Sequence, residues 1–152
     1  MSLGCFCYLV GQADMAQRHA SITISNKTQG KLQRVRGDQN APVTILQGNS
    51  DFFVSTNSKG YVIYEGTNIQ GGSVSCGWLL AWNVLGHGNQ VYVRCRAIGI
   101  IKAIPDRENY EKVEASKNSS TSVDPDNHTS ATALIDAIAE TPALGCSFAV
   151  DN

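Results

Sequence analysis

Hydrophobic and polar residues alternate along the first hundred positions in short runs, and the repeat is two far more often than 3.6. Ser21-Ile22-Thr23-Ile24-Ser25-Asn26 sets two isoleucines on one face and hydroxyls on the other, the pattern of a strand wet on one side. Lys31–Arg36 holds a short strand within a turn-rich connection bounded by Gly30 and Gly37. Val43–Leu46 and Phe52–Ser55 follow, with Gly48-Asn49-Ser50-Asp51 as the turn between them.

Gly60–Gly66, Cys76–Asn83 and Val91–Arg96 carry nearly all the large aromatics of the middle region. In the second run Trp78, Leu80 and Trp82 point one way while Leu79 and Ala81 point the other. A strand apolar on both faces belongs in the centre of a sheet, covered on each side. Tyr61 and Ile63 oppose Val62 and Tyr64; Val91, Val93 and Cys95 face inward, which leaves Tyr92, Arg94 and Arg96 toward solvent. Ile98–Ile104 reads as a further strand. Turn chemistry between strands every 8–12 residues or so suits a sandwich or small barrel.

The character changes at Pro105. Arg107–Lys117 fits a short helix, with Glu108 and Lys112 at the favourable four-residue spacing. Lys117–Ser130 is polar and aperiodic and reads as a flexible linker. Thr132–Thr141 carries a helix-like stripe of Leu134, Ile135 and Ile138, ended by Pro142, and Ala143–Val150 can dock as a last strand. The expected fold is all-β: an antiparallel β-sandwich over residues 15–104 with a short helical C-terminal appendage. Residues 105–152 form an acidic, partly flexible segment whose helix docks on the core.

Residues 1–14 read as an extension. Their apolar stretch, Leu3–Val10, lacks the basic start of a secretion signal, and Met15 opens a more ordinary beginning, so a cytoplasmic location is expected. No apolar run approaches the ~20 residues that a membrane-spanning helix needs.

Composition supports the β-rich reading: 42% of residues are hydrophobic and only 16% charged, in a chain rich in Gly, Ser, Thr and Asn. The net charge of −1 conceals a segregation. Residues 15–104 hold nine Lys/Arg against three acids, and residues 105–152 hold three against nine. An electropositive body of this kind suits an anionic ligand, or the chain's own acidic tail.

Catalytic and metal signatures are missing from the sequence, so neither an enzyme nor a cofactor is expected. Five cysteines leave at least one unpaired within the chain; a Cys76–Cys95 bridge is geometrically open, and buried free thiols are the other reading. Cys5 and Cys7 lack a partner histidine for zinc. Asp124-Pro125-Asp126-Asn127 starts like a calcium loop but lacks its glycine and closing glutamate. Gly71-Gly72-Ser73 suits a hairpin turn rather than a phosphate loop, and His87 between two glycines is a turn residue. Sequons at Asn26, Asn118 and Asn127 mark loops. Without an RNP-like motif, helix-turn-helix or zinc finger, nucleic acid is not an expected partner. The remaining binding candidates are Tyr92 with Arg94 and Arg96, and the basic cluster Lys31, Arg34 and Arg36. An aromatic ring beside guanidinium groups suits a glycan or an anionic lipid head group.

The block Tyr61-Val62-Ile63-Tyr64-Glu65-Gly66-Thr67-Asn68, then Cys76-Gly77-Trp78-Leu79-Leu80-Ala81-Trp82-Asn83 and Asn89-Gln90-Val91-Tyr92, resembles the jasmonate-induced protein family of plants. That resemblance implies a stress- or defence-linked protein. A weaker likeness joins Ile22-Thr23-Ile24-Ser25-Asn26, Gly30-Lys31-Leu32 and Gly37-Asp38 to the opening of aegerolysins, which implies a lipid-binding β-sandwich. Gln29 stands where those proteins usually carry Trp. The expectation is a non-catalytic binding protein that meets a glycan or a membrane lipid surface. The alternative is a self-associating structural protein, a homo-oligomer without a small ligand.

Overall fold

Ile22 and Ile24 lie fully buried between two five-stranded sheets, as their alternation demands. The structure, a computed structural model, describes residues 18–68 and 74–151. Its strands are β1 (Ser21–Lys27), β2 (Leu32–Gly37), β3 (Thr44–Ile45), β4 (Ser50–Val54), β5 (Lys59–Asn68), β6 (Val74–Asn83) and β7 (Gln90–Ala97), then β8 (Ser119–Asp124), β9 (Thr129–Ile135) and β10 (Ala143–Val150). Helices α1 (Ile98–Lys102) and α2 (Asp106–Glu114) lie between β7 and β8. The first sheet runs β4-β1-β10-β9-β8 and the second β3-β2-β5-β6-β7. Pairing is antiparallel except between β1 and β10, which run parallel. The fold is thus an all-β sandwich with a small helical layer.

Two apolar layers hold it. Between the sheets, Trp78, Leu80 and Trp82 of β6 pack with Val62, Tyr64, Ile22, Ile24 and Phe148. On the other side of the second sheet, Tyr61, Ile63, Leu79 and Ala81 meet Ile101, Ile104 and Val113 from the helices. Fully burying each large aliphatic or aromatic side chain contributes about 1.5–3 kcal/mol, so β6, working in both layers, dominates the core. The indole N–H groups are satisfied by carbonyls, Trp78 Nε1 donating to Ser130 O at 3.1 Å and Trp82 Nε1 to Asn57 O at 3.3 Å.

Glycines make the room. A Cβ on Gly60 would come within 2.8 Å of the Trp82 ring, and one on Gly66 within 3.2 Å of the Trp78 ring. One on Gly77 would strike Ile98 and Ile101. Much of the Tyr-x-Gly and Cys-Gly-Trp pattern of residues 60–83 is therefore packing chemistry.

Three expectations fail in the last third. Ile98–Ile104 is not a strand: α1 sets Ile98 and Ile101 on one side, over Gly77. Residues 117–130 are not a free linker but β8 and its turn into β9. Residues 132–141 do not form a helix; β9 buries Thr129, Ala131, Ala133 and Ile135 and exposes Thr132 and Leu134. A period of two written in small residues gives a weak hydrophobic signal, and pairing on both sides overrides it. The C-terminal segment therefore supplies three strands of the first sheet, with β10 at its centre. The two helices sit mid-chain. The reading of residues 1–14, with Cys5 and Cys7, lies outside the described residues.

Cys76, Cys95 and Cys146 are buried, and Cys95 and Cys146 are free thiols. Cys76 faces Ala97 and Cys95 faces Trp78 across the β6–β7 ladder, so the Cys76–Cys95 bridge is not formed. Asn26 is no glycan acceptor: its amide is buried, donating to Gly30 O and Ile45 O and accepting from Thr28 N–H and O–H.

β8 also solves an edge problem. The outer edge of β7 offers N–H groups without a strand partner, a liability in any open sheet. Val91 N donates to Lys117 O, Val93 N to Ser120 Oγ and Cys95 N to Ser122 Oγ. Alternate serines of β8 turn inward to seal this edge, while Ser119, Thr121 and Val123 stay exposed. No helix among the described residues is long and apolar enough to cross a membrane.

Candidate functional site

The two basic clusters expected from sequence do not meet. β2 and β7 are separated by β5 and β6, which puts them roughly 14 Å apart across the sheet. Arg34 is turned into the loop that follows β2, its Nη1 donating to the carbonyls of Asp38, Gln39 and Ala41. Arg36 donates to Lys102 O at 3.0 Å and Ile104 O at 2.8 Å, fastening the end of α1 to the sheet. Arg96 donates to Cys95 O and Val123 O. Tyr92 packs at the border of the helix-side core. Among the described residues the side chains of Lys31 and Arg94 meet no hydrogen-bonding or ion-pair partner. Lys31 lines a separate shallow cavity of about 290 Å³ with Gln33 and Glu65.

Of the six, Arg36 alone contributes to a pocket of about 420 Å³ at the end of the sandwich where β2 gives out and β5 begins. Lys59, Tyr61 and Tyr110 line it as well, with Gly37, Asp38, Thr56 and Asn57 around its mouth. The chain makes this corner by a backbone device. Gly37, at φ +116°, lets β2 run against β5 so closely that a Cβ there would lie 2.3 Å from Tyr61 O. The Asp38 carboxylate then ties the loops together, accepting from Asn40 N, Thr56 N and Thr56 Oγ1.

The pocket wall is aromatic and charged. Tyr61 and Tyr110 meet edge to face with ring centroids 6.0 Å apart. The Arg36 guanidinium lies 5.6 Å from the Tyr61 ring centre and Lys59 Nζ 5.4 Å from that of Tyr110, both within cation–π range. Tyr61 accepts from Arg36 Nε at 3.0 Å and donates to Asp106 Oδ1 at 2.7 Å. Burial, and then that bond to Asp106, push the Tyr61 phenol up to about 12, so it acts as a neutral donor in the physiological range. Burial raises Tyr110 too. Lys59 Nζ contacts Glu114 Oε1 at 2.7 Å; lysine and glutamate are both substantially exposed, so this contact is weak and exchangeable.

Lys59 and Tyr110 were not among the residues singled out from the sequence. Lys59 lies in a turn-like run and Tyr110 in a charged helix 51 residues further on, and only the folding of α2 across β5 brings them together. The segregated charge was the available signal. The acidic segment folds back on the basic body, pairing Glu114 with Lys59, Asp106 with Arg36 and Glu140 with Arg18.

No protein-family profile matches the sequence, and no curated protein matches it. Solved structures do. The chain superposes on the lipid binding protein Nakanori with a TM-score of 0.72, covering 96% of this chain and 77% of that one at 15% sequence identity. At that identity the likeness establishes a shared sandwich fold.

Proposed function

We propose that this is a non-catalytic lipid-binding protein that takes an anionic head group in the pocket between Arg36, Lys59, Tyr61 and Tyr110. The observation that carries the reading is the pair of cations held over two tyrosine rings in a head-group-sized recess. A phosphate would draw Lys59 from its exposed partner Glu114, while the C–H surface of a glycerol or sugar moiety would stack on Tyr110. The shared fold with a lipid binding protein supports the reading, as does the likeness of the first half to aegerolysins. To it we attach the stress- or defence-linked role implied by the resemblance of residues 60–92, with a glycan as the second ligand class that such an aromatic wall accepts.

Vesicle co-sedimentation tests this. Phosphatidylcholine vesicles containing phosphatidylserine or a phosphoinositide should retain the protein. Lys59→Gln with Tyr110→Ala should weaken that retention at least about tenfold, or 1.4 kcal/mol. Vesicles that hold the double variant as well as the parent, yet release Arg94→Glu, would move the site to β7.

A further inference from the structure

The two sheets differ in what covers their outer faces. That of the second sheet lies under α1 and α2, whereas among the described residues no element lies over that of the first. The outward positions of β4, β1, β10, β9 and β8 are nevertheless almost free of charge. They are Ser, Thr, Ala and Gly with a few apolar residues, and Lys27 at one corner is the single ion among them. Asp136 and Asp151 stand just beyond the strand ends. A water-facing sheet of a protein with 25 ionisable acids and bases would ordinarily carry lysines and glutamates here.

The face has relief. One row across the sheet reads Phe52, Thr23, Gly145, Leu134, Ser119. Phe52 and Leu134 are 63% and 60% exposed and stand as two ridges. Between them, over Thr23 and Gly145, lies a groove of about 630 Å³, opened because Gly145 has no side chain and lined at one end by Asp136.

We infer that this face docks onto the same face of a second copy of the chain. A two-fold contact sets each patch against itself, so it requires a patch that is self-complementary and carries no charges to repel their own images. Ridge and groove lie side by side, and the two charges at hand, Asp136 lining the groove and Lys27 at the other end of the strands, are of opposite sign and need not meet their own images. An anionic membrane would find a single lysine, Lys27, on this face. The size also fits. Five strands about 4.8 Å apart and about six residues long give a flat area on the order of 500 Å². With side-chain relief added, that approaches the roughly 800 Å² each partner buries in a standard interface. The stacked sheets would lie about 10 Å apart with Phe52 of each copy seated in the partner's groove.

Gly145 provides the test, since a Cβ there meets nothing within 4 Å and the fold should accept a larger residue. Sedimentation velocity on the full chain should show a monomer–dimer equilibrium at micromolar concentration. Gly145→Glu and Gly145→Lys should each raise the dimer dissociation constant at least about tenfold, a loss of 1.4 kcal/mol. Their circular dichroism and melting temperature should match the parent. Because Gly145 lies on the central strand, mixing the two variants in equal amounts should restore the dimer. A parent chain that stays monomeric overturns the proposal, as does a Gly145→Glu protein that dimerises unchanged. If Gly145→Glu instead abolishes vesicle or glycan binding by a monomer, the face serves that ligand and the self-docking assignment falls. Vesicle binding that fails with Lys59→Gln while the dimer persists would leave the two sites separate.

Discussion

Two buried asparagines show how differently one residue type can act. Asn89 uses its whole amide: Oδ1 accepts from Leu85 N and Gly86 N, and Nδ2 donates to Asp136 O and Ala139 O, both at 2.8 Å. It clasps the β6–β7 turn to the β9–β10 loop. Asn109, on the buried face of α2, meets no partner with either amide atom. Asn89→Ala orphans two N–H groups and two carbonyls and should cost at least about 3 kcal/mol. Asn109→Leu removes an unmatched amide at nearly constant volume and should gain about 1–3 kcal/mol. Urea denaturation reads both, and the account fails if the two changes share a sign. Sequence inspection reads Asn89 only as part of an Asn-x-Val-Tyr strand start. Its partners lie 47 and 50 residues away, beyond the reach of a local pattern.

Among the elements, β6 was legible and β8 was not, for a physical reason. Trp78, Leu80 and Trp82 announce a buried strand because large apolar side chains have no other use at a period of two. Ser119-Ser120-Thr121-Ser122-Val123 alternates as strictly, but its inward residues bond a neighbouring edge rather than fill a core. Composition reads such a strand as linker. The same holds for the functional candidates: Arg34 and Arg96 look free in sequence, yet carbonyls of neighbouring loops occupy their donors, and Arg36, held in the same way, brings to the pocket its charge over Tyr61 rather than free donors. Ser120→Ala should cost about 1–3 kcal/mol by leaving Val93 N–H without an acceptor, whereas Ser119→Ala, on the exposed face, should stay within about 0.5 kcal/mol. Thermal melts of the two single variants compare them directly. Equal melting temperatures would mean that the edge is not sealed in this way.

At the scale of the whole molecule, buried acids that stay protonated set the response to alkali. Burial raises Cys146 from its ordinary value of 9.0, and raises Cys95 as well. Tyr61 moves up to about 12 and Tyr64 further still, again through burial first. Each group releases its proton more readily from the unfolded chain than from the native one. Their stabilisation is therefore complete below about pH 9 and is lost as pH rises through 12. The urea midpoint should be level up to about pH 8.5 and fall steadily above it. A midpoint unchanged at pH 11 would contradict this account.

The parallel union of β1 with β10 has a consequence during synthesis. These two strands lie at opposite ends of the described chain, and β10 is also the bridge between β1 and β9. While a ribosome still holds Ala143–Val150 in its exit tunnel, the first sheet lacks the strand that joins β4 and β1 to β9 and β8. Trp78 and Phe148 cannot yet meet. The nascent polypeptide must keep its indoles from other sticky surfaces until β10 emerges, so its demand for chaperones should persist until residue 150 has cleared the tunnel.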